Sequence, residues 1–567
     1  MNAIKHHKNF EHTFAIVQIT RLGDLLQALQ AASAFKYQHP NVKLILIARK
    51  QFAEGLNFLL KQVFDEIYSF NLKDFYGEDG SQDLNTIVNN LDIFIKNINK
   101  EKIDVLINLS FSKSSSYLTG LIEARHKMGL ERDQRGELII SDKWSQFVYS
   151  NVMNGANNPF SLVDIFRKMM GTKQIPLVFG SANTKKTNSK KIIIHPFASS
   201  KKKRWGITKW GEVIYQLLKT IPEAQIHIMG GPGDMNEANS LGETPTLQAF
   251  KKRIHFKVGK YSLEETFGNF QDADLFLGHD SMGGHMAALQ AVTSITLSLG
   301  TVRPHETTPY GHNNYNMAPR IKCFPCFPDD KCDLLPCHAN ISHQSVVALS
   351  QAILSGETIN HKVLAQKISA FHMDSIHIYQ TEINASHGLT IQDLAQNPET
   401  ISSIFKNFYQ VMWTFMFEEV EIRLPLPSLN RELLSNLSHY QSGLQQLFEL
   451  NNFGVKFSQY IIDETKLDSP RIDHIRDYSS KLSEIDGLTK VLKTHYPLLS
   501  PVIDFYFVAK ANLSGNNVIE LAESSYVTFF EFNNAVQILN ELVGACLNTS
   551  QAKLMRTNKE VVKEIDN

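Results

Sequence analysis

The sequence has few cysteines, no net charge and no long apolar stretch. Only 5 of its 567 residues are cysteine, which excludes a disulfide framework as the main support of a chain of this size. The 57 basic residues balance the 57 acidic residues, and this balance argues against nucleic acid as a partner. No apolar stretch reaches the roughly 20 residues that a membrane-spanning helix needs.

What is present is the composition of an ordinary globular protein. Hydrophobic residues make up 43% of the chain and charged residues 20%, which allows about two to four domains with large cores. Residues Met1 to His12 are polar and lack the apolar core of a signal peptide. We therefore expect a cytoplasmic protein.

Strand-like and helix-like segments alternate over the first three-fifths of the chain. The first predicted strand, Phe14–Ile19, is followed by a helical pattern at Leu25–Tyr37. Such alternation predicts an α/β fold with doubly wound parallel sheets. The pattern restarts after the polar stretch Gly180–Lys191, which is typical of a linker. We therefore predict two α/β domains, residues 1–182 and 190–358, facing a cleft where ligands bind.

After about residue 360 the character of the sequence changes. Glycine thins out and long apolar-periodic stretches appear, such as Ile401 to Glu419. This pattern predicts an all-helical domain over residues 360–567. It carries no recognisable motif, so docking of an acceptor, homo-oligomerisation and a peripheral position at a membrane stay open as its roles.

Arg21 to Asp24 form a polar cluster directly after the first predicted strand. Ligands bind at this edge of a parallel sheet, so the Asp24 carboxylate is placed to take a proton from an incoming hydroxyl. Gly23 allows an acceptor to approach the backbone closely. A helix N-cap is the alternative role of Asp24.

His195 to Trp205 follow the first predicted strand of the second domain. The hydroxyls and cations of this segment suit a diphosphate, which needs hydrogen-bond donors and positive charge. The candidate donor-binding residues are Ser199, Ser200, Lys203 and Arg204. A solvated surface loop is the alternative for the basic run 201–204.

Two further turns follow predicted strands. The glycines of Gly230–Asp234 permit close backbone approach to a ribose or phosphate, and Gly230 and Asp234 are the candidates there. Gly278–His285 places a carboxylate, a hydroxyl and an imidazole at a helix start, where free N–H groups and the dipole favour an anion. Its candidate residues are Asp280, Ser281, Gly283, Gly284 and His285.

These motifs together resemble glycosyltransferase family 9, the bacterial heptosyltransferases, over about residues 14–354. The family's Arg-x-Gly-Asp is matched by Arg21, Gly23 and Asp24. Its His-Pro-Gly-Ala-Ser and Lys-Arg-Trp are matched by His195, Pro196, Ala198, Ser199, Lys203, Arg204 and Trp205. Its Asp-Ser/Thr-Gly-x-x-His is matched by Asp280, Ser281 and His285.

The resemblance implies a GT-B fold and an inverting sugar transfer that needs no catalytic metal. The donor would be a nucleotide-diphospho-sugar such as ADP-heptose, and the acceptor a lipopolysaccharide-type glycan or a protein hydroxyl. Asp24 would be the base, with Arg21 and Gly23 on the acceptor side. Lys203 and Ser199 would hold the diphosphate. A bacterial enzyme of this kind would be cytoplasmic, with a position peripheral to the inner membrane left open.

Two positions depart from the family pattern. Phe197 and Met282 each stand where the family has glycine. Both lie where the backbone should approach the donor, so the identity of the donor stays open. They also motivate a second hypothesis, a catalytically degenerate GT-B scaffold or binding protein that acts through the helical region.

Four of the five cysteines cluster within a short segment. Cys323, Cys326, Cys332 and Cys337 have the spacing C-x₂-C-x₅-C-x₄-C, which can place four thiolates around one tetrahedral metal ion. Thiolate ligands favour zinc or iron, and the role would be structural because four protein ligands leave no open position. The alternative is a set of free thiols or one disulfide. Some family members, including heptosyltransferases that modify autotransporters, carry similar clusters, one of them an iron-binding finger.

Overall fold

The first parallel sheet is built around a buried central strand. Its strands lie in the order β3-β2-β1-β4-β5, and all neighbouring pairs are parallel. In chain order they are β1 (His12–Gln18), β2 (Val42–Arg49), β3 (Glu66–Phe70), β4 (Ile103–Asn108) and β5 (Ala124–Met128). The strand order reverses between β1 and β4, so the loops that follow these two strands flank the ligand-binding crevice of the sheet.

Helices cover both faces of this sheet, which explains why its central strands are continuous apolar runs. They are α1 (Leu22–Gln38), α2 (Lys50–Leu60), α3 (Leu84–Asn99) and α4 (Lys113–Leu121). The chain then adds the short strands β6 (Leu130–Arg132) and β7 (Leu138–Ile140) and the helix α5 (Lys143–Ser150). Ala15, Val17, Ile45, Ile47 and Leu106 form the centre of the core.

The second sheet has eight strands in the order β10-β9-β8-β11-β12-β13-β14-β15. They are β8 (Lys190–His195), β9 (Ala224–Ile228), β10 (Ile254–Phe256), β11 (Leu275–His279), β12 (Ser294–Leu297), β13 (Tyr315–Pro319), β14 (Ile376–Asn384) and β15 (Gly388–Asp393). The first six are parallel, and β14 and β15 join antiparallel at one edge. Here the order reverses between β8 and β11.

The helices around the second sheet are mostly short. Helix α6 (Leu162–Met169) precedes this sheet along the chain and packs against α1. The others are α7 (Ile207–Thr220), α8 (Met235–Gly242), α9 (Leu263–Phe270), α10 (Met282–Leu289), α11 (Pro304–Thr307), α12 (Pro336–Asn340), α13 (His343–Leu354), α14 (His361–Lys367) and α15 (Ala370–Asp374). The hydrophobic core of this sheet includes Trp205, Trp210 and Leu277. One fully parallel sheet and one mainly parallel sheet, both doubly wound, make a mixed α/β fold.

Strands β14 and β15 lie inside the stretch for which the sequence predicts helices only. Ile376 and Ile378 alternate with less buried residues and join the core of the second sheet. They close the edge that β13 would otherwise leave open. The short helices α14 and α15 precede these strands, and the long helices of the C-terminal region begin at Ile401, after β15.

The structure is a computed structural model that describes residues 10–73, 83–151, 154–176, 178–180, 189–384, 388–422, 427 and 429–565. Most of the predicted linker Gly180–Lys191 lies outside these residues. The chain divides into two units, one within residues 1–138 and 160–397 and the other within residues 139–159 and 398–567. Residues 139–159 thus belong with the helical region, although the sequence analysis places them in the first α/β domain.

The second unit is helical. Besides α5 it contains α16 (Ile401–Glu418), α17 (Arg431–Thr465), α18 (Ile472–His495), α19 (Ser500–Ala511) and α20 (Val518–Ile565). Aromatic side chains join α5 to the later helices: Trp144 meets Phe417 edge-on at 4.9 Å between ring centroids, and Phe147 meets Trp413 at 5.5 Å. Among the described helices, none is long and apolar enough to cross a membrane.

Candidate active site

Asp24 lies in the first turn of α1, at the crevice of the first sheet. The N-cap of this helix is Arg21, which is exposed and makes no side-chain capping bond. The Asp24 carboxylate instead accepts a hydrogen bond from the Thr20 hydroxyl at 2.8 Å. The capping hypothesis for Asp24 therefore does not describe this helix, and the carboxylate faces the loop after β1.

Lys203 and Asp280 meet at the crevice of the second sheet. Lys203 Nζ lies 3.3 Å from Asp280 Oδ2, and the two side chains are 16% and 13% exposed. Ser281 is the N-cap of α10 and makes no capping bond, and its Oγ lies 3.4 Å from His195 Nδ1. The ends of β8 and β11 and the loops that follow them thus bring together a cation, a carboxylate, a hydroxyl and an imidazole.

His279, at the end of β11, forms hydrogen bonds with both ends of the loop Phe197–Trp205. It is fully buried, its Nε2 accepts the Trp205 N–H at 2.8 Å, and its Nδ1 donates to the Phe197 carbonyl at 3.2 Å. Burial lowers the pKa of His279 to about 3, so the imidazole is neutral with its proton on Nδ1. The sequence analysis misses this residue, because one buried histidine beside Asp280 carries no motif of its own.

The remaining residues of this loop have different surroundings. Ser199 and Ser200 are exposed at its turn. Arg204 folds back and donates to the Ala198 carbonyl at 2.7 Å, and it also pairs with Glu237. Lys203 and Arg204 therefore form ion pairs and are not simply solvated. The hydrogen bond from Arg204 to Ala198 stabilises the loop itself.

A cavity of about 310 Å³ opens beside this crevice. It is lined by His195, Met229, Gly230, Gly231, Pro232, Lys257, Tyr261, Ser262, Leu263, Thr266, Phe270, Phe276, Met282 and Gly283. Its mixture of apolar walls with a few polar groups is typical of small-molecule sites. Tyr261 and Lys257, whose ammonium lies 5.5 Å from the Tyr261 ring, are cavity residues that no sequence motif indicates.

The two departures from the family pattern have different places. Phe197 is buried in the core, and a Cβ on Gly230 would lie 2.7 Å from its ring. Phe197 therefore packs beneath the Gly230 turn and does not line the cavity, whereas Met282 does. Asp234 accepts the Gly231 N–H at 2.9 Å and stabilises the turn itself.

The start of α1 lies close to His285 of α10. Since α1 follows β1 and α10 follows β11, the crevices of the two sheets lie close together here. A Cβ on Gly23 would lie 3.7 Å from His285 Cδ2. His285 is 4% exposed, and its Nδ1 has no hydrogen-bond partner among the described residues. Burial lowers the pKa of His285, while Asp280 and Asp24 both act to raise it. The charges of Asp280 and Asp24 therefore both act on this imidazole.

The glycines that precede His285 allow α10 to pack closely. A Cβ on Gly283 would lie 2.9 Å from the Phe276 ring, and one on Gly284 would lie 2.9 Å from Pro309 Cγ. Gly283 also lines the cavity, whereas Gly284 faces the packed interior. These glycines set the position of the helix start that carries Ser281 and His285.

The four clustered cysteines differ in their exposure. Cys323 is exposed and Cys337 is buried, and all four are free. Among the described residues, no group of three or more His, Cys, Asp or Glu side chains is arranged to hold a metal ion. The segment is held by its backbone instead, since the Cys326 N–H donates to the Gly300 carbonyl at 2.9 Å.

This cysteine segment supports the loop at the second crevice. The His338 ring donates to the Lys202 carbonyl at 2.8 Å, and the Trp205 indole donates to the His338 carbonyl at 3.2 Å. Lys202 Nζ also donates to the Pro328 carbonyl at 3.0 Å. The segment therefore has a structural connection to the loop that carries Lys203.

Part of the chain matches a known protein family. Residues 93–335 match the family model of glycosyltransferase family 9 (heptosyltransferase). The matched segment contains the loops after β8 and β11. The match begins after Asp24, so the role of that residue does not follow from it.

Solved structures of family 9 enzymes are similar to part of the chain. A family 9 glycosyltransferase from Veillonella parvula is 14% identical, with a TM-score of 0.46, over 63% of this chain and 100% of its own. The ADP-heptose lipopolysaccharide heptosyltransferase II of E. coli is 15% identical, with a TM-score of 0.44, over 61% and 99%. The iron-containing dodecameric TibC of enterotoxigenic E. coli is 13% identical, with a TM-score of 0.36, over 61% and 77%. A comparison with curated proteins found no match.

Proposed function

We propose that this protein transfers a sugar from a nucleotide-diphosphate donor to an acceptor hydroxyl, with inversion at the anomeric carbon and Asp24 as the base. The acceptor hydroxyl gives its proton to the Asp24 carboxylate, and its oxygen forms the new bond to the anomeric carbon. The bond from that carbon to the diphosphate breaks, and its electrons leave with the diphosphate oxygen.

The observation that carries this proposal is the close approach of Gly23 to His285. It places the first turn of α1, with Asp24, beside the helix start that follows Asp280. A donor bound by the loops after β8 and β11 would thus present its sugar to the Asp24 carboxylate of the first sheet. The unpartnered Nδ1 of His285 offers a polar contact to a ligand at this point.

The second sheet supplies the donor site. The 310 Å³ cavity lies at the lower end of the range for small-molecule pockets and has room for a nucleoside. Lys203 is placed to neutralise the charge that develops on the leaving diphosphate. ADP-heptose is the donor to test first, because the family is described as heptosyltransferases.

The acceptor is a glycan of the lipopolysaccharide type or a protein hydroxyl, and both need the same deprotonation at Asp24. A metal ion at Cys323, Cys326, Cys332 and Cys337 would have a structural role. Zinc or iron bound there would draw the exposed and buried thiols together and stiffen the segment that contacts the Lys202–Trp205 loop.

The test is turnover of a panel of nucleotide sugars by wild type and by Asp24→Asn. We expect nucleoside diphosphate release by wild type and a loss of at least about 100-fold in kcat for Asp24→Asn, because a missing general base costs about 10²–10⁴-fold. Asp65→Asn is the matched control, since Asp65 accepts the Leu44 N–H at 2.8 Å on the same sheet but away from the crevice.

Two results would overturn the proposal. One is a wild-type protein that binds and turns over none of the nucleotide sugars, which would favour the scaffold or binding protein acting through the helical unit. The other is an Asp24→Asn variant that keeps the wild-type rate, which would remove Asp24 as the base.

A further inference from the structure

Two hydroxyl groups behind Asp24 each have two hydrogen-bond acceptors within reach. Thr20 Oγ1 lies 2.8 Å from Asp24 Oδ2 and 2.7 Å from Gln18 Oε1. Ser110 Oγ lies 3.2 Å from Gln18 Oε1 and 3.2 Å from the Val17 carbonyl oxygen. Because a hydroxyl carries one proton, each of them donates to only one of its acceptors at a time.

The Gln18 side chain links these two hydroxyls. It is 1% exposed, and its Nε2 donates to the Leu109 carbonyl at 3.2 Å, which leaves Oε1 as the acceptor that faces the hydroxyls. The Thr20 N–H approaches the same Oε1 at 3.3 Å. An amide oxygen has two lone pairs, so one stays available for a single hydroxyl proton, from Thr20 or from Ser110.

The position of Ser110 is fixed independently of its proton. Its Oγ accepts the Ile19 N–H at 2.8 Å, and its own N–H donates to Asn108 Oδ1 at 3.0 Å. Ser110 follows β4 and Thr20 follows β1, the two strands between which the sheet order reverses. The hydroxyl pair therefore spans the crevice directly behind Asp24.

We infer that Thr20 is the positioning residue of the base Asp24 and that its hydroxyl reverses direction when the base takes a proton. This inference rests on the proposed function. Before transfer, Thr20 donates to the Asp24 carboxylate and Ser110 donates to Gln18. When Asp24 receives the acceptor's proton, Thr20 turns to donate to Gln18 and accepts from the new Asp24 carboxyl group, while Ser110 turns to Val17.

Both arrangements keep every buried acceptor partnered. Only two O–H bonds rotate, no proton leaves Thr20 or Ser110, and Gln18 Oε1 accepts a hydroxyl proton before and after. A buried acceptor without a donor would be unfavourable, so this exchange lets Asp24 change protonation without that penalty. The residues hold the base in orientation in both states and do not contact the reacting atoms.

The experiment compares Thr20→Val, Thr20→Ser and Ser110→Ala in turnover of ADP-heptose, or of whichever donor the panel identifies, measured as nucleoside diphosphate release. For Thr20→Val we expect kcat to fall by about 10- to 100-fold with KM for the donor unchanged, as expected for losing a hydrogen bond to a charged group.

The other variants separate this role from a structural one. Thr20→Ser keeps the hydroxyl and restores kcat to within about threefold. Ser110→Ala leaves the Thr20 hydroxyl as the remaining hydroxyl donor to Gln18 Oε1, which draws it away from Asp24 and lowers kcat several-fold with KM for the donor unchanged. Thr119→Val, which removes a buried hydroxyl that donates within α4, is the control and keeps the wild-type kcat.

If wild type turns over the donor and Thr20→Val keeps the wild-type kcat, the inference is overturned and the proposed function stands. If Thr20→Val does not fold, an unchanged kcat in Ser110→Ala overturns the inference instead. A wild-type protein that neither binds ADP nor turns over any donor overturns the proposed function, and the inference with it.

Discussion

The His279 contacts allow a quantitative prediction about acid stability. Replacing His279 by leucine removes the acceptor of the Trp205 N–H and the donor to the Phe197 carbonyl. Leaving those buried groups unpaired costs about 1–3 kcal/mol of unfolding free energy at pH 7.5. The loop that carries Lys203 is then less firmly attached to β11, so donor affinity falls as well.

In wild type, the His279 imidazole makes the free energy of unfolding depend on pH. Burial lowers the pKa of His279 to about 3 from about 6.5 in the unfolded chain. Between these values the unfolded chain binds a proton that the folded chain does not, so wild-type stability falls as the pH drops. At pH 5 the loss from this one group is RT ln[(1 + 10^1.5)/(1 + 10^−2)], about 2 kcal/mol, and at pH 7.5 it is about 0.1 kcal/mol.

The assay is urea unfolding of wild type and His279→Leu at pH 7.5 and pH 5. We expect wild type to be the more stable at pH 7.5 and the difference to shrink by about 2 kcal/mol at pH 5. Leu277→Ala, on the same buried strand, is the control, and its destabilisation of about 2–5 kcal/mol is equal at both pH values. A His279→Leu difference that does not change with pH would refute the assignment of a neutral buried imidazole.

Three further predictions follow from glycine contacts and the thiol cluster. Gly23→Ala should keep kcat within about twofold because its Cβ would lie 3.7 Å from His285, whereas Gly23→Val should lower kcat at least about tenfold by pushing α1 from α10. Gly230→Ala should destabilise by about 1–3 kcal/mol in thermal unfolding, since its Cβ would lie 2.7 Å from the Phe197 ring. Anaerobically purified protein should carry about one zinc or iron per chain by mass spectrometry, and Cys323→Ser should lose it; metal-free wild type would contradict this.

The sequence predicts those parts of the site that depend on local order along the chain. Phe14–Ile19 is an apolar run long enough to be recognised as a buried parallel strand, and the structure has β1 at His12–Gln18. Polar residues after such strands lie at the carboxyl edge of the sheet. This is why Asp24 and Asp280 could be identified as candidates without a structure.

What the sequence does not contain is the set of contacts between distant segments. The approach of Gly23 to His285 depends on how two sheets pack, and no local pattern encodes it. His279 and Tyr261 have no motif, so only tertiary burial identifies them. Strand β14 was missed because two alternating isoleucines make a short signal beside long helical patterns.

The most direct test of the account is the configuration of the transferred sugar. In the proposed mechanism, Asp24 deprotonates the acceptor, which attacks the anomeric carbon in line and in a single step while the loops after β8 and β11 hold the donor. Nuclear magnetic resonance of the first-formed product, with ADP-heptose or the donor that the panel identifies, should show the anomeric configuration opposite to that of the donor. Retention of the donor's configuration would contradict the single displacement and the role of Asp24.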